Sequence, residues 1–234
     1  ISNLTQLKNL DLSNGNLTGT IPAGIANLTK LENLTFFRNK LTGNLPQAIG
    51  NLTQLQTLSL GENLLSGNIP SGIGNLTRLT ALFLSNNMLT GDIPASIGNC
   101  RLLTNLYLSD NQLTGNIPAE IGNLVLLENL TLKNNQFESL PNEIGRLKKV
   151  YSLDVCNNKL RSLPDSIVLM DRLYELYAQN NRISGLSENF GVCKSMKNVN
   201  LSNNQLKEIP VELFFARNIE SIGLSNNLIE KFPS

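Results

Sequence analysis

The sequence contains no histidine and no tryptophan, and only three cysteines, four tyrosines and eight phenylalanines occur among its 234 residues. Without histidine, the chain lacks the usual base partner of a serine or cysteine nucleophile, the imidazole ligand of many metal sites and the common pH switch. The sequence also lacks a glycine-rich loop of the kind that binds phosphates. These absences argue against an enzyme, and we expect neither a catalytic residue nor a bound metal or cofactor.

Charge and hydrophobicity argue against two further classes of partner. Nineteen basic residues balance eighteen acidic ones, for a formal charge of +1, so the chain has no basic excess for nucleic acid or an anionic membrane surface. The longest fully apolar runs are about four residues, as at Leu124–Leu127, whereas a membrane-spanning helix needs roughly 20. We therefore expect no nucleic-acid partner and no direct insertion of this chain into a membrane.

What the sequence has in excess is leucine, at 45 positions, and asparagine, at 35. The pattern LxxLxLxxNxL, here called the frame and numbered from its first apolar residue, occurs ten times at steps of 24 and then 23 residues. The frame begins at Leu7, Leu31, Leu55, Leu79, Leu103, Leu127, Val150, Leu173, Met196 and Ile219. A fixed period of this length indicates a repeat architecture in which each unit packs on its neighbours.

Each repeat predicts one short strand, because apolar residues alternate within the frame, and stacked copies make a parallel sheet with a continuous core. An asparagine at frame position nine ends the strand, and its amide can bond backbone groups that would otherwise be buried without partners. A proline follows in every repeat except the eighth, which has Ser187 instead. Repeat eight also carries Ala178 at an inward position, so it reflects either sequence drift or a distortion that serves a ligand.

These repeats resemble those of leucine-rich repeat proteins over essentially the whole chain. The segment LTALFLSNNMLTGDIPASIGN, Leu79–Asn99, is similar to the plant-type unit, and VYSLDVCNNKLRSLPDSI, Val150–Ile167, is similar to a shorter class with LPxxI. The resemblance implies an α/β solenoid shaped as a horseshoe, with a concave parallel sheet of about ten strands. It also implies extra short strands and 3₁₀ or helical turns on the outer side, and we expect a second, narrow sheet over residues 17–118 that ends near repeat six.

We interpret residues 1–234 as a single solenoid, with plant-type repeats in residues 1–136 and LPxxI-type repeats in residues 137–234. Solenoids need polar terminal units that shield the core. Neither end of this chain resembles such a cap, and residues 232–234 stop where an outer segment would begin. We therefore expect the chain to be a fragment of a longer array.

The three cysteines are predicted to be free thiols. Cys100 and Cys193 share a repeat position that leucine fills elsewhere, so we expect both to be buried. They are four repeats apart at roughly 5 Å per repeat, whereas a disulfide needs Cα atoms within about 7 Å. Cys156 is predicted on the exposed side of its strand, as an inert thiol or as a reactive one that lacks a base partner.

Frame positions two, three, five, seven and eight are predicted to face the concave solvent side. All four tyrosines, together with two phenylalanines, fall at these positions. The predicted ligand-binding residues are Phe37, Phe83, Tyr107, Lys133, Tyr151, Asp154, Tyr174, Glu175 and Tyr177. Aromatic side chains often anchor interfaces, although aromatic neighbours on adjacent strands also stabilise a sheet by themselves.

The predicted function is recognition of a protein or peptide through the concave face, in a receptor ectodomain or a scaffold. An intracellular signalling scaffold is one alternative. An ice-binding surface is another, because hydroxyl residues recur along the outer segments at Thr18, Thr42, Ser66, Thr90 and Thr114. Eight Asn-x-Ser/Thr sequons and the plant-type repeats favour an extracellular location, whereas the absence of disulfide caps leaves the cytoplasm open.

Overall fold

The computed structural model of the protein describes residues 1–231, apart from the side chains of Val192 and Phe214. The expectation for residues 232–234 lies outside this range. The strands are β1 (Asn9–Asp11), β2 (Thr18–Thr20), β3 (Asn33–Thr35), β4 (Lys40–Asn44), β5 (Thr57–Ser59), β6 (Leu64–Asn68), β7 (Ala81–Phe83), β8 (Met88–Gly91), β9 (Asn105–Tyr107), β10 (Gln112–Leu113), β11 (Asn129–Thr131), β12 (Ser152–Asp154), β13 (Glu175–Tyr177), β14 (Asn198–Asn200) and β15 (Ser221–Gly223).

Ten strands, one from each repeat, form the inner sheet in the order β1-β3-β5-β7-β9-β11-β12-β13-β14-β15. All neighbours are parallel, and each frame position pairs with the same position of the next repeat, as in Leu34 with Leu58 and Leu58 with Leu82. The central leucines of β3, β5 and β7, which are these three residues, point into the core and are fully buried. The predicted parallel sheet of about ten strands is therefore confirmed.

The outer sheet contains five parallel strands in the order β10-β8-β6-β4-β2, all within repeats one to five. A single bridge between Asn116 and Ser139 extends this pairing into repeat six. Each outer segment of these repeats contains a glycine in the left-handed region, such as Gly67 at φ 70° and Gly91 at φ 69°. Glycine suits this conformation because it has no Cβ. The second sheet and its end near repeat six occur where the resemblance to plant-type repeats implies them.

A ladder of asparagine side chains joins the repeats beneath the ends of the inner strands. Asn63 shows the pattern: its Nδ2 donates to the carbonyls of Phe36, Leu60 and Gly61 at 2.9, 3.1 and 3.2 Å. Its Oδ1 accepts the Leu41 amide at 3.0 Å. The ladder consists of Asn39, Asn63, Asn87, Asn111, Asn135, Asn158, Asn181, Asn204 and Asn227. Each amide satisfies backbone groups in two repeats, which is the role predicted from position nine.

Short 3₁₀ helices line the outer side of the described residues. They are η1 (Ala23–Asn27), η2 (Gln47–Asn51), η3 (Ser71–Asn75), η4 (Ala95–Asn99), η5 (Ala119–Asn123), η6 (Asn142–Arg146), η7 (Asp165–Leu169), η8 (Glu188–Val192) and η9 (Val211–Phe215). A proline precedes each helix except η8, where Ser187 takes the same extended conformation at φ −71° and ψ 144°. The Ser187 hydroxyl accepts the amide of Asn189 at 3.1 Å. At Ser187, repeat eight thus keeps the extended geometry that proline has in its neighbours, which favours sequence drift over distortion at this position.

Candidate functional site

The concave face consists of the side chains at frame positions two, three, five, seven and eight of the inner strands. The nine predicted ligand-binding residues all lie on this face, and none belongs to the buried core. They form two groups. The upstream group contains Phe37, Phe83 and Tyr107, and the downstream group contains Lys133, Tyr151, Asp154, Tyr174, Glu175 and Tyr177.

The upstream group surrounds a shallow depression of about 400 Å³, which we call the aromatic hollow. Its lining residues are Phe37, Ser59, Gly61, Phe83, Ser85, Asn86 and Tyr107. The rings of Phe83 and Tyr107 meet edge to face, with centroids 5.0 Å apart and an interplanar angle of 79°. This contact arises because the two residues occupy position five of adjacent strands and are paired in register.

The downstream group contains a column of side chains at frame position two. Tyr151 stacks on Tyr174, with ring centroids 5.1 Å apart and an interplanar angle of 10°. The Lys197 ammonium lies over the other side of the column, 5.3 Å from the Tyr174 centroid, and pairs with Glu220 at 2.5 Å. Lys197 and Glu220 were not predicted from the sequence as members of this column. The signal was present, because both continue position two in repeats nine and ten.

Two acidic side chains influence the tyrosines of the downstream group. Burial raises the pKa of the Tyr177 phenol, and the Glu175 and Asp154 carboxylates raise it further. The pKa of Tyr151 is also raised, first by loss of hydration and then by Tyr174 and Glu175. Both phenols therefore remain protonated near neutral pH. The Tyr177 hydroxyl interacts with the Glu175 carboxylate, whereas that of Tyr151 can donate a hydrogen bond to a ligand. The group offers aromatic surface, hydroxyl donors and carboxylates in one place.

A row of residues in the left-handed conformation borders the concave face at frame position eight. In all ten repeats this residue has φ between 52° and 59°. Most are asparagine, which tolerates this conformation better than other residues with a Cβ. Arg38 and Glu62 adopt it as well, at φ 57° and 52°, and their side chains pair at 3.5 Å. The repeat pattern did not predict this ion pair. Its two residues directly follow Phe37 and Gly61, which line the aromatic hollow.

Cys156 departs from its predicted exposure. It occupies position seven on the concave side, but only 6% of its surface is accessible. Burial raises the pKa of its thiol to about 12, with a further contribution from the hydrogen bond and charge of Asp154. The prediction of an exposed thiol was wrong because neighbouring polar groups cover the sulfur, including the Asn157 amide at 3.7 Å. A reactive thiolate is therefore disfavoured at this position.

The other two cysteines are buried as predicted, and all three thiols are free. Within residues 1–231, no group of three or more acidic or cysteine side chains could hold a metal ion. Over the same residues, no helix has the length and apolar character that crossing a membrane requires.

Comparison with known proteins identifies the repeats. A family profile described as a leucine-rich repeat region matches residues 89–214, and a profile for the single leucine rich repeat matches residues 6–28, 30–52 and 54–76. No curated protein matches the chain in sequence.

Three solved structures show the range of similar proteins. A TDR receptor matches with a TM-score of 0.88 and 35% sequence identity over 97% of this chain and 40% of its own. The plant peptide hormone receptor RGFR1, solved in complex with RGF2, matches with a TM-score of 0.85 and 33% identity over 97% and 40%. A plant ice-binding protein matches with a TM-score of 0.69 and 30% identity over 100% and 78%.

The chain spans less than half the length of the two receptors that it matches. The leucine-rich repeat region profile covers more than half of the chain, and the ten-stranded solenoid agrees with the receptor folds. The chain belongs to the leucine-rich repeat family.

Proposed function

We propose that the protein binds a linear peptide, or an extended segment of a protein, on its concave face. The observation that carries this proposal is the placement of six aromatic side chains on an exposed sheet. None of the six is in the core, and Tyr151 is 52% exposed. Folding does not require large apolar side chains at these positions, because the inward positions already form a continuous core.

The energetics favour recognition over a purely structural role for these residues. Aromatic pairs across strands contribute roughly 0.2–1 kcal/mol each to a sheet. Covering the accessible surface of six rings, one exposed and five half-buried, with a ligand would contribute more, because buried aromatic area stabilises a complex. A preformed sheet also holds its side chains in place, so that binding costs little additional ordering entropy. Tyrosine is well suited to such a surface because it combines a large ring with a hydroxyl donor.

Similar proteins support a peptide as the ligand class. RGFR1 was solved in complex with RGF2, and PEPR1 was solved as PEPR1–AtPEP1. By this likeness, the chain is the recognition part of a larger receptor or scaffold, and residues 1–234 act as one solenoid. In the downstream group, the Lys133 ammonium and the Asp154 and Glu175 carboxylates would orient the peptide through its polar groups. Because these charges are of both signs, the group would not select strongly for a positively or a negatively charged peptide.

The proposal can be tested with a displayed library of random linear twelve-residue peptides. Peptides selected on the wild-type protein are measured against a variant in which Tyr151, Tyr174 and Tyr177 are replaced by alanine. We expect affinity to fall at least tenfold while the thermal midpoint changes little. The matched control replaces Leu102, Val125 and Leu169, which are exposed apolar residues outside the concave face, by alanine and should bind normally. Equal binding by both triple variants would refute the proposal.

Ice binding is a second candidate, favoured by the likeness to a plant ice-binding protein and by a hydroxyl column on the outer sheet. The column consists of Thr18, Thr42, Ser66, Thr90 and Thr114. Several of these hydroxyls already donate within the protein, such as Thr114 to the Asp92 carboxylate at 3.2 Å and Thr90 to Asn68 at 3.4 Å. These bonds leave fewer donors for ice. A thermal hysteresis assay separates the candidates, because a peptide-binding solenoid should produce no freezing-point gap.

A further inference from the structure

The aromatic hollow lies over repeats two to five, and its floor is made of small residues. Ser59, Gly61 and Ser85 form the floor, between the rings of Phe37 on one side and Phe83 with Tyr107 on the other. Position seven carries a side chain in every repeat except the third, where Gly61 stands. The hollow therefore exists where one side chain of the concave face is missing.

The backbone conformation of Gly61 does not by itself require a glycine. Unlike the glycines of the outer sheet, Gly61 does not have a φ in the left-handed region. Ser85 and Ser109 take the same frame position in the next two repeats with an ordinary Cβ. A Cβ on Gly61 would lie 3.1 Å from the Ser85 carbonyl oxygen and 3.5 Å from the Phe37 ring. A side chain at position 61 would thus fill the floor of the hollow, and the glycine keeps it open.

The charges around the hollow indicate what it can accept. None of its lining residues is charged. The nearby Arg38 and Glu62 side chains are exposed and pair with each other at 3.5 Å, so together they add no net charge beside the hollow. An ionised group placed among these rings would lose hydration without gaining a partner. An apolar group would instead gain contact with the three aromatic rings that line the hollow.

We propose that the aromatic hollow binds one apolar side chain, aromatic or branched aliphatic, of the peptide held by the concave face. This inference rests on the proposed function and narrows its ligand class. Gly61 provides the space, and the rings of Phe37, Phe83 and Tyr107 provide the contact surface. The ligand is a peptide with a buried apolar anchor at this end of the site.

The spacing of the two groups sets the position of this anchor in the peptide. The hollow centres on repeats three and four, and Tyr174 belongs to repeat eight. About four strand spacings of roughly 4.8 Å each therefore separate the hollow from Tyr174, a distance of about 20 Å. An extended chain advances about 3.3 Å per residue, so roughly six residues cover this distance. Selected peptides should therefore share an apolar residue about six positions from the residue that contacts Tyr174.

The test uses the same twelve-residue peptide library with a variant that fills the hollow, Gly61→Leu. Its matched control is Ser225→Leu, which adds the same side chain at position seven of repeat ten, outside the hollow. We expect Gly61→Leu to weaken wild-type-selected peptides at least tenfold and the control to bind normally. Replacing the apolar anchor of the peptide by alanine should weaken binding to wild type, but should not weaken binding to Gly61→Leu any further.

Phe37→Ala keeps the test informative if Gly61→Leu lowers the thermal midpoint. This variant removes one wall and should also weaken peptides that carry the anchor. Unchanged affinity for both variants would overturn the assignment of the hollow. If the tyrosine triple variant still loses binding in that case, peptide recognition by the concave face stands without the hollow. Binding that depends on neither set of residues refutes both proposals.

Discussion

The first five repeats and the last five share one inner sheet but differ on the outer side. In the first five, frame position thirteen is a left-handed glycine with φ between 69° and 83°. Repeats six to nine have Ser139, Ser162, Gly185 and Glu208 at this position. Gly185 does not adopt the left-handed conformation, and the outer sheet has already ended. One residue per repeat is thus closely associated with the presence of the second sheet.

The shared inner sheet follows from contacts that do not change between the two halves. The asparagine ladder continues from Asn39 to Asn227, across the boundary between the plant-type and the LPxxI-type repeats. The outer segment can therefore vary while the strands keep their register and the concave face remains continuous. This separation explains how the upstream and downstream groups can belong to different repeat classes and still share one surface.

The largest loss of stability is expected for Asn135→Ala, which removes the ladder amide at the boundary between the plant-type and the LPxxI-type repeats. This side chain donates to the carbonyls of Leu108 and Leu132 at 2.9 and 3.2 Å and accepts the Leu113 amide at 3.0 Å. Each buried group left without a partner costs about 1–3 kcal/mol. We expect the free energy of unfolding, measured by urea denaturation, to fall by about 3 kcal/mol or more from the loss of several such groups.

Asn129→Ala is the matched control, because Asn129 is exposed and its amide donates to the Asn105 side chain at 2.7 Å, with no bond to a backbone carbonyl of the described residues. It should change the free energy of unfolding by less than about 0.5 kcal/mol. If both variants lose the same stability, the ladder does not couple the two halves.

A pair of glycine variants tests the outer-side difference itself. Gly67→Ala forces a Cβ into the left-handed region and within 2.5 Å of the Asn44 Oδ1, so it should destabilise by about 1–2 kcal/mol or more. Gly185→Ala meets no atom within 4 Å and has ordinary backbone geometry. It should stabilise by about 0.4–1 kcal/mol, because alanine restricts the unfolded chain. Thermal and urea unfolding measure both, and equal effects would contradict the assigned role of the left-handed glycines.

Replacing the downstream tyrosines should have a smaller effect on stability than on binding. Tyr174→Ala removes the stacking with Tyr151 and the contact with Lys197, at a cost of about 0.2–1 kcal/mol each. Phe83→Ala removes the edge-to-face contact with Tyr107 in the first five repeats, at a similar cost. A loss above about 3 kcal/mol in either variant, in the range of a core aromatic truncation, would mean that the concave aromatics are structural.

The smallest expected effect on stability at neutral pH comes from two buried cysteine thiols, one in each half of the solenoid. Burial raises the pKa of Cys100 to about 11, and burial with Asp154 raises that of Cys156 to about 12. The unfolded chain, with an ordinary thiol pKa near 8.5, loses these protons first as pH rises. Native stability from the two thiols should thus be complete below about pH 8.5 and decline through pH 11–12. Thiol labelling at pH 8 should be slow until the protein unfolds, and rapid labelling of native Cys156 would contradict its burial.

Periodicity predicted the inner strands, the ladder and the buried Cys100, because these follow from residues that recur at fixed spacing. The extent of the outer sheet was an expectation from the resemblance to plant-type leucine-rich repeats, and periodicity alone did not give it. Departures from the repeat were harder to interpret. The sequence placed Cys156 on the correct side of the strand, but its exposure depends on contacts with Asp154 and Asn157. The opening left by Gly61 depends on where the ring of Phe37 lies, and a pattern of residue types does not specify that position.

A crystal structure of the protein with one selected twelve-residue peptide would show whether the concave face holds the ligand. We expect the peptide to cross the inner strands, with one apolar side chain between Phe37 and Phe83 and another residue in contact with Tyr174. A peptide bound to the 3₁₀ helices of the outer side, away from both aromatic groups, would contradict this expectation.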